Sequence, residues 1–297
     1  MKVKLSIIIP IYNRSFYLKS ILFHFTRQDH NMSLNDYEII VIDDGSEEKL
    51  KEIVDSFDNL KIRYFKIKNS ERGFARNYGA NKAEGEYLNF FDSDDIPYSN
   101  HITTFFQVTK NYKNISIFHL SYDFEIKKNK TKSFVKKGDL NKYIFNKNIL
   151  SCNSIFINKK LFNNFKFHEN RKLSGSEDWH LWLRIINENQ ILGFDNITSK
   201  IIYHNQRSML NTNYEKINQR IRYFINLFDN DENLKLIQKN NKRKVLSELY
   251  MYLSLHSSIL KQNKFTTLNL LIKSLFIRLN KIFEKKFLVI IFNIIFR

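Results

Sequence analysis

Two acidic clusters stand where carboxylates are costly unless a cation or a hydrogen-bond donor meets them. Asp92-Ser93-Asp94-Asp95 closes the apolar run Tyr87-Leu88-Asn89-Phe90-Phe91, and Asp43-Asp44-Gly45-Ser46 closes the run at 37–42. Clustered carboxylates on a turn repel one another. Hard oxygen donors of this kind suit Mg²⁺ or Mn²⁺, with phosphate oxygens completing the shell. A carboxylate at a strand end can also accept hydrogen bonds from a base or a ribose. The plainer alternative is that both clusters cap the helices after them, since Asp and Ser are favoured N-caps.

Three further groups carry chemical potential. Glu177-Asp178 opens the amphipathic stretch Trp179-His180-Leu181-Trp182-Leu183-Arg184. Acids in a first helical turn are stabilised by the helix dipole. Facing a cleft, one of them could instead take a proton from a hydroxyl. Arg72-Gly73-Phe74-Ala75-Arg76-Asn77-Tyr78-Gly79 sets two arginines and two glycines around a helix start, a pattern favourable to an anion. Its spacing matches neither a Walker loop nor G-x-G-x-x-G. His204 follows an apolar run, and Cys152, the one cysteine, reads as a small buried hydrophobe.

These groups need elements to hold them. The first half alternates apolar runs at 3–10, 37–42, 61–65 and 86–91 with amphipathic stretches at 15–27, 46–57 and 72–83. Ser15 reads as the N-cap of the first helix. Strands alternating with helices predict a mostly parallel, doubly wound sheet flanked by helices, with ligands outside the carboxyl ends of its strands. Both acidic clusters fall at such ends. Further strands are expected at 115–126, 154–157 and 198–204, and a helix at 177–189. Beyond residue 211 the pattern is helical.

The composition narrows the class. With 43% hydrophobic and 15% aromatic residues, the 297-residue chain can bury a core, and 2 Pro and 7 Gly exclude collagen-like or linker-rich sequences. A single cysteine excludes a disulfide framework and suits a reducing compartment. The first apolar run is too short for a signal peptide, so a cytoplasmic location is expected. The net charge is +18, and residues 205–297 carry 17 Lys/Arg against 6 Asp/Glu. A basic tail of this kind can face an anionic lipid or a nucleic acid, or simply be a solvated surface. It ends in the apolar stretch 287–296, too short to span a bilayer, which needs roughly 20 residues.

In order, the segments Ser6-Ile-Ile-Ile-Pro-Ile-Tyr-Asn13, Val41-Ile-Asp-Asp-Gly-Ser46, Gly73-Phe-Ala-Arg-Asn77, Gly85-Glu-Tyr-Leu-Asn-Phe-Phe-Asp-Ser-Asp-Asp95, Glu177-Asp-Trp-His-Leu-Trp-Leu183 and Tyr203-His-Asn-Gln-Arg-Ser208 resemble the family 2 glycosyltransferases of the GT-A fold. The resemblance implies an α/β, Rossmann-like sheet in a catalytic domain over 1–210. Its nucleotide-sugar half would be about 1–97 and its acceptor half about 98–210, with a basic helical region at 211–297. It implies a uracil pocket at Pro10, Tyr12, Asn13, Asp43 and Asp44 with Arg76 nearby, and ribose-side contacts at Asp92 and Ser93. Asp94 and His204 would hold Mn²⁺ or Mg²⁺, and Asp178, beside Glu177, would be the base. The implied reaction is inverting transfer of a hexose or N-acetylhexosamine from a UDP-sugar to a hydroxyl of a saccharide or lipid-linked saccharide, in bacterial surface-glycan assembly.

Two other classes compete. A metal-dependent nucleotidyltransferase would want a Gly-rich basic loop after the first strand, where this chain has Pro10-Ile-Tyr-Asn-Arg14. A non-enzymatic basic module binding membrane or nucleic acid would have no need of the acid set. The expected partners are the donor, the acceptor, the inner membrane surface as a peripheral contact, and a second copy through the C-terminal helices, with no nucleic acid.

Overall fold

The computed structural model describes residues 3–29, 36–127, 130–204 and 213–296. In chain order the elements are β1 (Leu5–Ile11), α1 (Ser15–Phe25), β2 (Tyr37–Asp43), α2 (Leu50–Asp55), β3 (Ile62–Lys66), α3 (Arg72–Lys82), β4 (Tyr87–Phe90), β5 (Ile96–Pro97), α4 (His101–Asn111), β6 (Ile117–Lys127), β7 (Lys130–Phe134) and β8 (Gly138–Asp139). Then come α5 (Asn141–Ile144), β9 (Ile155–Asn158), α6 (Lys159–Phe165), α7 (Glu177–Ile185), β10 (Leu192–Ile201), α8 (Tyr214–Asn230), α9 (Glu232–Lys235), α10 (Lys239–Ile259), α11 (Lys264–Ile277) and α12 (Lys285–Phe296).

The chain forms two compact units. The first comprises 1–140, 150–169 and 189–204; the second comprises 141–149, 170–188 and 205–297. All the described strands lie in the first, in a sheet ordered β3-β2-β1-β4-β9-β6-β10-β5. The β3-β2-β1-β4 part is parallel. Its two central strands read Leu-Ser-Ile-Ile-Ile-Pro-Ile and Tyr-Glu-Ile-Ile-Val-Ile-Asp because both faces are covered, which removes any polar alternation. On one face, Ile7, Ile9 and Val41 pack with Leu18, Leu22 and Phe25 of α1 and Phe105 of α4.

β9 runs antiparallel between β4 and β6, while β10 returns parallel to β6. The β3-β2-β1-β4 part is thus purely parallel, and the rest of the sheet is mixed. Two local expectations change. Ser15 is the first helical residue rather than a cap, and its N–H donates to the Glu48 carboxylate (2.6 Å). The acids at 92–95 cap no helix, because β5 follows them and α4 starts only at His101.

The second unit is helical, with α8, α11 and α12 packed on the long α10. α7, which begins at the Glu177-Asp178 pair, packs there against α5 and α9. No helix among the described residues is long and apolar enough to cross a membrane.

Candidate active site

The parallel strands β1, β2 and β4 bring three polar turns to one edge of the first unit, since Ile11 pairs in register with Asp43 and Ile8 with Phe90. Such an edge is where open α/β sheets bind ligands.

At the first turn, Asp43 is fully buried with both oxygens engaged. One accepts the Ser46 N–H (2.7 Å), and the other accepts the Tyr64 hydroxyl with Lys66 Nζ 3.8 Å away. Burial, reinforced by that bond and the Asp43 charge, pushes the Tyr64 pKa well up. Asp44 accepts the Ser70 N–H (2.8 Å). Gly45 sits at φ +83°, where a Cβ would come 2.6 Å from the Asn69 nitrogen, so only glycine closes this turn. Asn13, itself at φ 48°, donates its N–H to Ser46 Oγ and accepts the Glu47 N–H, both at 2.9 Å. Those bonds clamp the Pro10–Arg14 turn onto the Asp43 turn, leaving Tyr12 46% exposed beside half-buried Pro10.

At the 92–95 turn each acid has a different partner. Asp92 meets Arg76 Nη2 at 2.8 Å. Arg76 is buried and lies over the Phe167 ring (5.1 Å). Gly73 allows this approach, as a Cβ there would fall 2.5 Å from the His168 carbonyl. Ser93 is buried. Asp94 Oδ2 is met by Arg14 Nη1 at 2.7 Å and by His204 Nε2 at 2.9 Å. Asp95 is buried and accepts the Ile202 N–H (2.9 Å) and Asn153 Nδ2 (2.7 Å). It therefore ties the acidic turn to the segment that carries His204.

The donor set can be tested against a divalent cation. Among the described residues no group of three or more His, Cys, Asp or Glu could hold a metal, so these residues form no closed protein cage. One carboxylate and one imidazole converge instead. His204 Nδ1 is buried and without a hydrogen-bond partner among the described residues. Mg²⁺ characteristically takes one or two carboxylates and completes its shell with substrate phosphates and water. Asp94 and His204 fit a site of that open kind.

In the second unit the adjacent acids part company. Glu177 is buried and accepts the Gly175 N–H (2.6 Å). Gly175 sits at φ +86°, and a Cβ there would lie 2.5 Å from Arg220 Nη1. Asp178 is half-buried, accepting Asn148 Nδ2 (2.8 Å) and its neighbour's Trp179 N–H (2.7 Å). Trp179, Trp182 and Leu183 are core residues. Of the pair, Asp178 keeps access to solvent.

Arg14, Tyr17, Asn148 and Asn153 carried no signal of chemistry in the sequence, yet each touches a candidate residue. Tyr17 packs its ring 5.2 Å from that of His204. Only the place of Arg14, directly after the Pro-Ile-Tyr-Asn turn, could have pointed to it.

With this geometry in place, comparison with known proteins defines the class. The model of the family described as glycosyl transferase family 2 matches residues 6–165. An uncharacterized glycosyltransferase of Rickettsia felis is 34% identical over 204 residues, covering 67% of this chain and 33% of that protein. The chain thus spans about a third of that relative's length. A GalNAc(5)-diNAcBac-PP-undecaprenol beta-1,3-glucosyltransferase of Campylobacter jejuni is 31% identical, covering 62% of this chain and 60% of its own. Staphylococcus aureus TarS 1-349 in complex with UDP-GlcNAc superposes with a TM-score of 0.62 at 18% identity, covering 93% of this chain and 89% of that one. A mannosyltransferase of Pyrobaculum calidifontis in complex with GDP-Man and Mn²⁺ gives 0.60 at 12% identity, covering 95% and 75%. The fold is GT-A, and the chain belongs to glycosyl transferase family 2.

Proposed function

We propose that the protein is an inverting, metal-dependent glycosyltransferase. It moves a hexose or N-acetylhexosamine from a UDP-sugar to a hydroxyl of a saccharide acceptor, at the cytoplasmic side of bacterial surface-glycan assembly. The observation that carries this reading is the convergence of Arg14 and His204 on Asp94 at the carboxyl end of the parallel strands. A relative whose printed name places it on an undecaprenyl-diphosphate glycan supports a lipid-linked acceptor.

In this reading Pro10, Tyr12, Asn13, Asp43 and Asp44 form the uracil end, and half-exposed Tyr12 offers the base a ring face. Asp92, held by Arg76, and Ser93 meet the ribose side. Asp94 and His204 would hold Mn²⁺ or Mg²⁺, which when bound neutralises negative charge on the diphosphate. Arg14 adds a fixed cation beside it, and such preorganised charge favours the transition state over the ground state. Asp178 takes the proton from the acceptor hydroxyl while Glu177 holds the turn before α7. The freed oxygen forms a bond to the anomeric carbon from the face opposite UDP. The anomeric C–O bond to the β-phosphate breaks, and its electron pair leaves with UDP.

The test is UDP release from a panel of UDP-glucose, UDP-galactose and their N-acetyl relatives, with Mn²⁺ and with excess EDTA. Release from at least one donor with Mn²⁺ and not with EDTA is expected. No release from any donor, or equal release in EDTA, overturns the reading.

A further inference from the structure

α11 and α12 carry large apolar side chains on their exposed faces as well as against α10. A surface helix normally turns its large apolar side chains inward and its polar ones outward. Here the contact with α10 combines a small apolar cluster, Met251 with Leu271 and Ile290, with a row of hydroxyls. Ser247 and Ser274 exchange hydrogen bonds with each other's carbonyls (3.0 and 2.7 Å), and Ser254 donates to the Thr267 carbonyl (2.9 Å). Ser257 meets Thr267 at 2.7 Å, and Asn293 of α12 donates to Ser258 (3.1 Å).

Many other large side chains point away. Phe265, Leu268, Ile272 and Phe276 form one exposed stripe on α11, with Phe265 at 85% and Phe276 at 89%. Phe283 of the 3-10 segment Leu279–Phe283 is 84% exposed, and Leu288, Phe292 and Ile295 are exposed on one face of α12. Small and hydroxyl-bearing residues within the contact, with bulky apolar residues also on the outer face, suit helices that meet lipid.

The charges choose the occupant. Lys261, Lys264, Lys273 and Lys285 are exposed, and among the described residues none has a carboxylate within ion-pair distance. The one acid in residues 261–296 is Glu284, paired with buried Lys281, which also meets Glu248 (2.6 Å). Two such faces from two copies would bring like charges together, whereas anionic headgroups complement them. At 1.5 Å per residue α11 and α12 are about 21 and 18 Å long, short of the roughly 30 Å hydrocarbon core.

We propose that α11, the 3-10 segment and α12 form a docking element that lies in the interface of an anionic lipid bilayer, its phenylalanines among the acyl chains and its lysines at the headgroups. The ion pairs of Lys281 and Lys286 with Glu248 fasten this element to α10. This goes beyond the transfer reaction and does not depend on it.

The experiment is flotation of the full chain with phosphatidylcholine vesicles, with or without phosphatidylglycerol, alongside its oligomeric state by light scattering. The wild type should float with the anionic vesicles. Combined Phe265→Ser, Phe276→Ser and Phe283→Ser should cut the bound fraction at least about tenfold with melting unchanged, since all three rings are exposed. Lys261→Gln, Lys264→Gln, Lys273→Gln and Lys285→Gln together should abolish the preference for phosphatidylglycerol. A wild type that stays with the unbound protein, or a phenylalanine variant that floats as well as wild type, overturns the proposal. So does a phenylalanine variant that converts a dimer to a monomer while vesicle binding is unaltered. UDP release is unaffected by any of these outcomes and is judged separately.

Discussion

His204 Nε2 lies 2.9 Å from Asp94 Oδ2 although 110 residues separate them in the chain. The link between them is Asp95, whose carboxylate accepts the N–H of Ile202, two residues before His204. One acidic turn thus supplies both the carboxylate that meets the imidazole and the one that brings its segment there. Neighbouring acids divide the same way in the second unit, where Glu177 braces a turn and Asp178 stays accessible.

Removing Asp95 should therefore damage stability and chemistry together. Asp95→Ala strands one buried donor, Asn153 Nδ2, and removes the acceptor of the part-buried Ile202 N–H. A stranded buried donor costs about 1–3 kcal/mol. Urea denaturation should show a loss within that range, and UDP release should fall as His204 loses its place. A variant as stable as wild type would contradict this role.

The two acids of α7 should separate in kinetics. Asp178→Asn keeps the acceptor for Asn148 but cannot take a proton, so kcat should fall at least about a hundredfold with donor affinity nearly unchanged. Glu177→Gln should retain most of the turnover while lowering the melting temperature. Reversed results would assign proton removal to Glu177.

Acid should weaken the first unit through two histidines. Burial lowers His101 and His119 from 6.5 to about 3, the Thr198 bond at His101 acting the other way. Asn89 spends its Nδ2 on two carbonyls, so its Oδ1 accepts from His101 Nε2 and the Thr198 hydroxyl serves Nδ1. His119 has no partner on either ring nitrogen among the described residues. The unfolded chain takes up protons near pH 6.5 while the folded one resists until about 3. Stability present above pH 6.5 is thus lost as pH falls through that window, at up to about 1.4 kcal/mol per pH unit for each histidine. Melting at pH 7, 6, 5 and 4 checks the sign, and His119→Phe should flatten the slope. An unchanged slope in that variant would exclude His119 as a source.

Gly73→Ala should loosen the seat of Arg76. Its new Cβ would sit 2.5 Å from the His168 carbonyl, which belongs to backbone and cannot swing aside. A loss of about 1–3 kcal/mol is expected, together with weaker donor binding as Arg76 shifts from Asp92. Unaltered stability would mean that the 167–168 segment yields without cost.

Much of the first unit was legible because its physics is local. β1, β2 and β4 read as largely apolar runs, each with one polar residue inside (Ser6, Glu38 and Asn89), and their polar ends marked the edge at which open α/β sheets bind ligands. β9 was placed as a strand, but its antiparallel insertion between β4 and β6 depends on pairing partners distant in sequence, which no local pattern encodes. α7 looked longer than it is, since the apolar pattern continues past Ile185 into buried Ile186. Asp43 reads as a ligand contact in sequence, whereas the bonds that fix its carboxylate, from the Ser46 N–H and from the Tyr64 hydroxyl on a separate strand, could not be read there. Arg14 and Asn153 were invisible, since an arginine and an asparagine in turns are ordinary until their partners are known.

The most direct test of the central claim is calorimetric titration of UDP into the wild type and into Asp94→Asn, each with and without Mn²⁺. Mn²⁺ should tighten UDP binding to the wild type at least about tenfold, as expected of a cation that would be held by Asp94 and would neutralise diphosphate charge, and Asp94→Asn should lose most of that gain while still folding. Wild-type affinity that is the same with and without Mn²⁺, or a gain fully retained in Asp94→Asn, would contradict the claim.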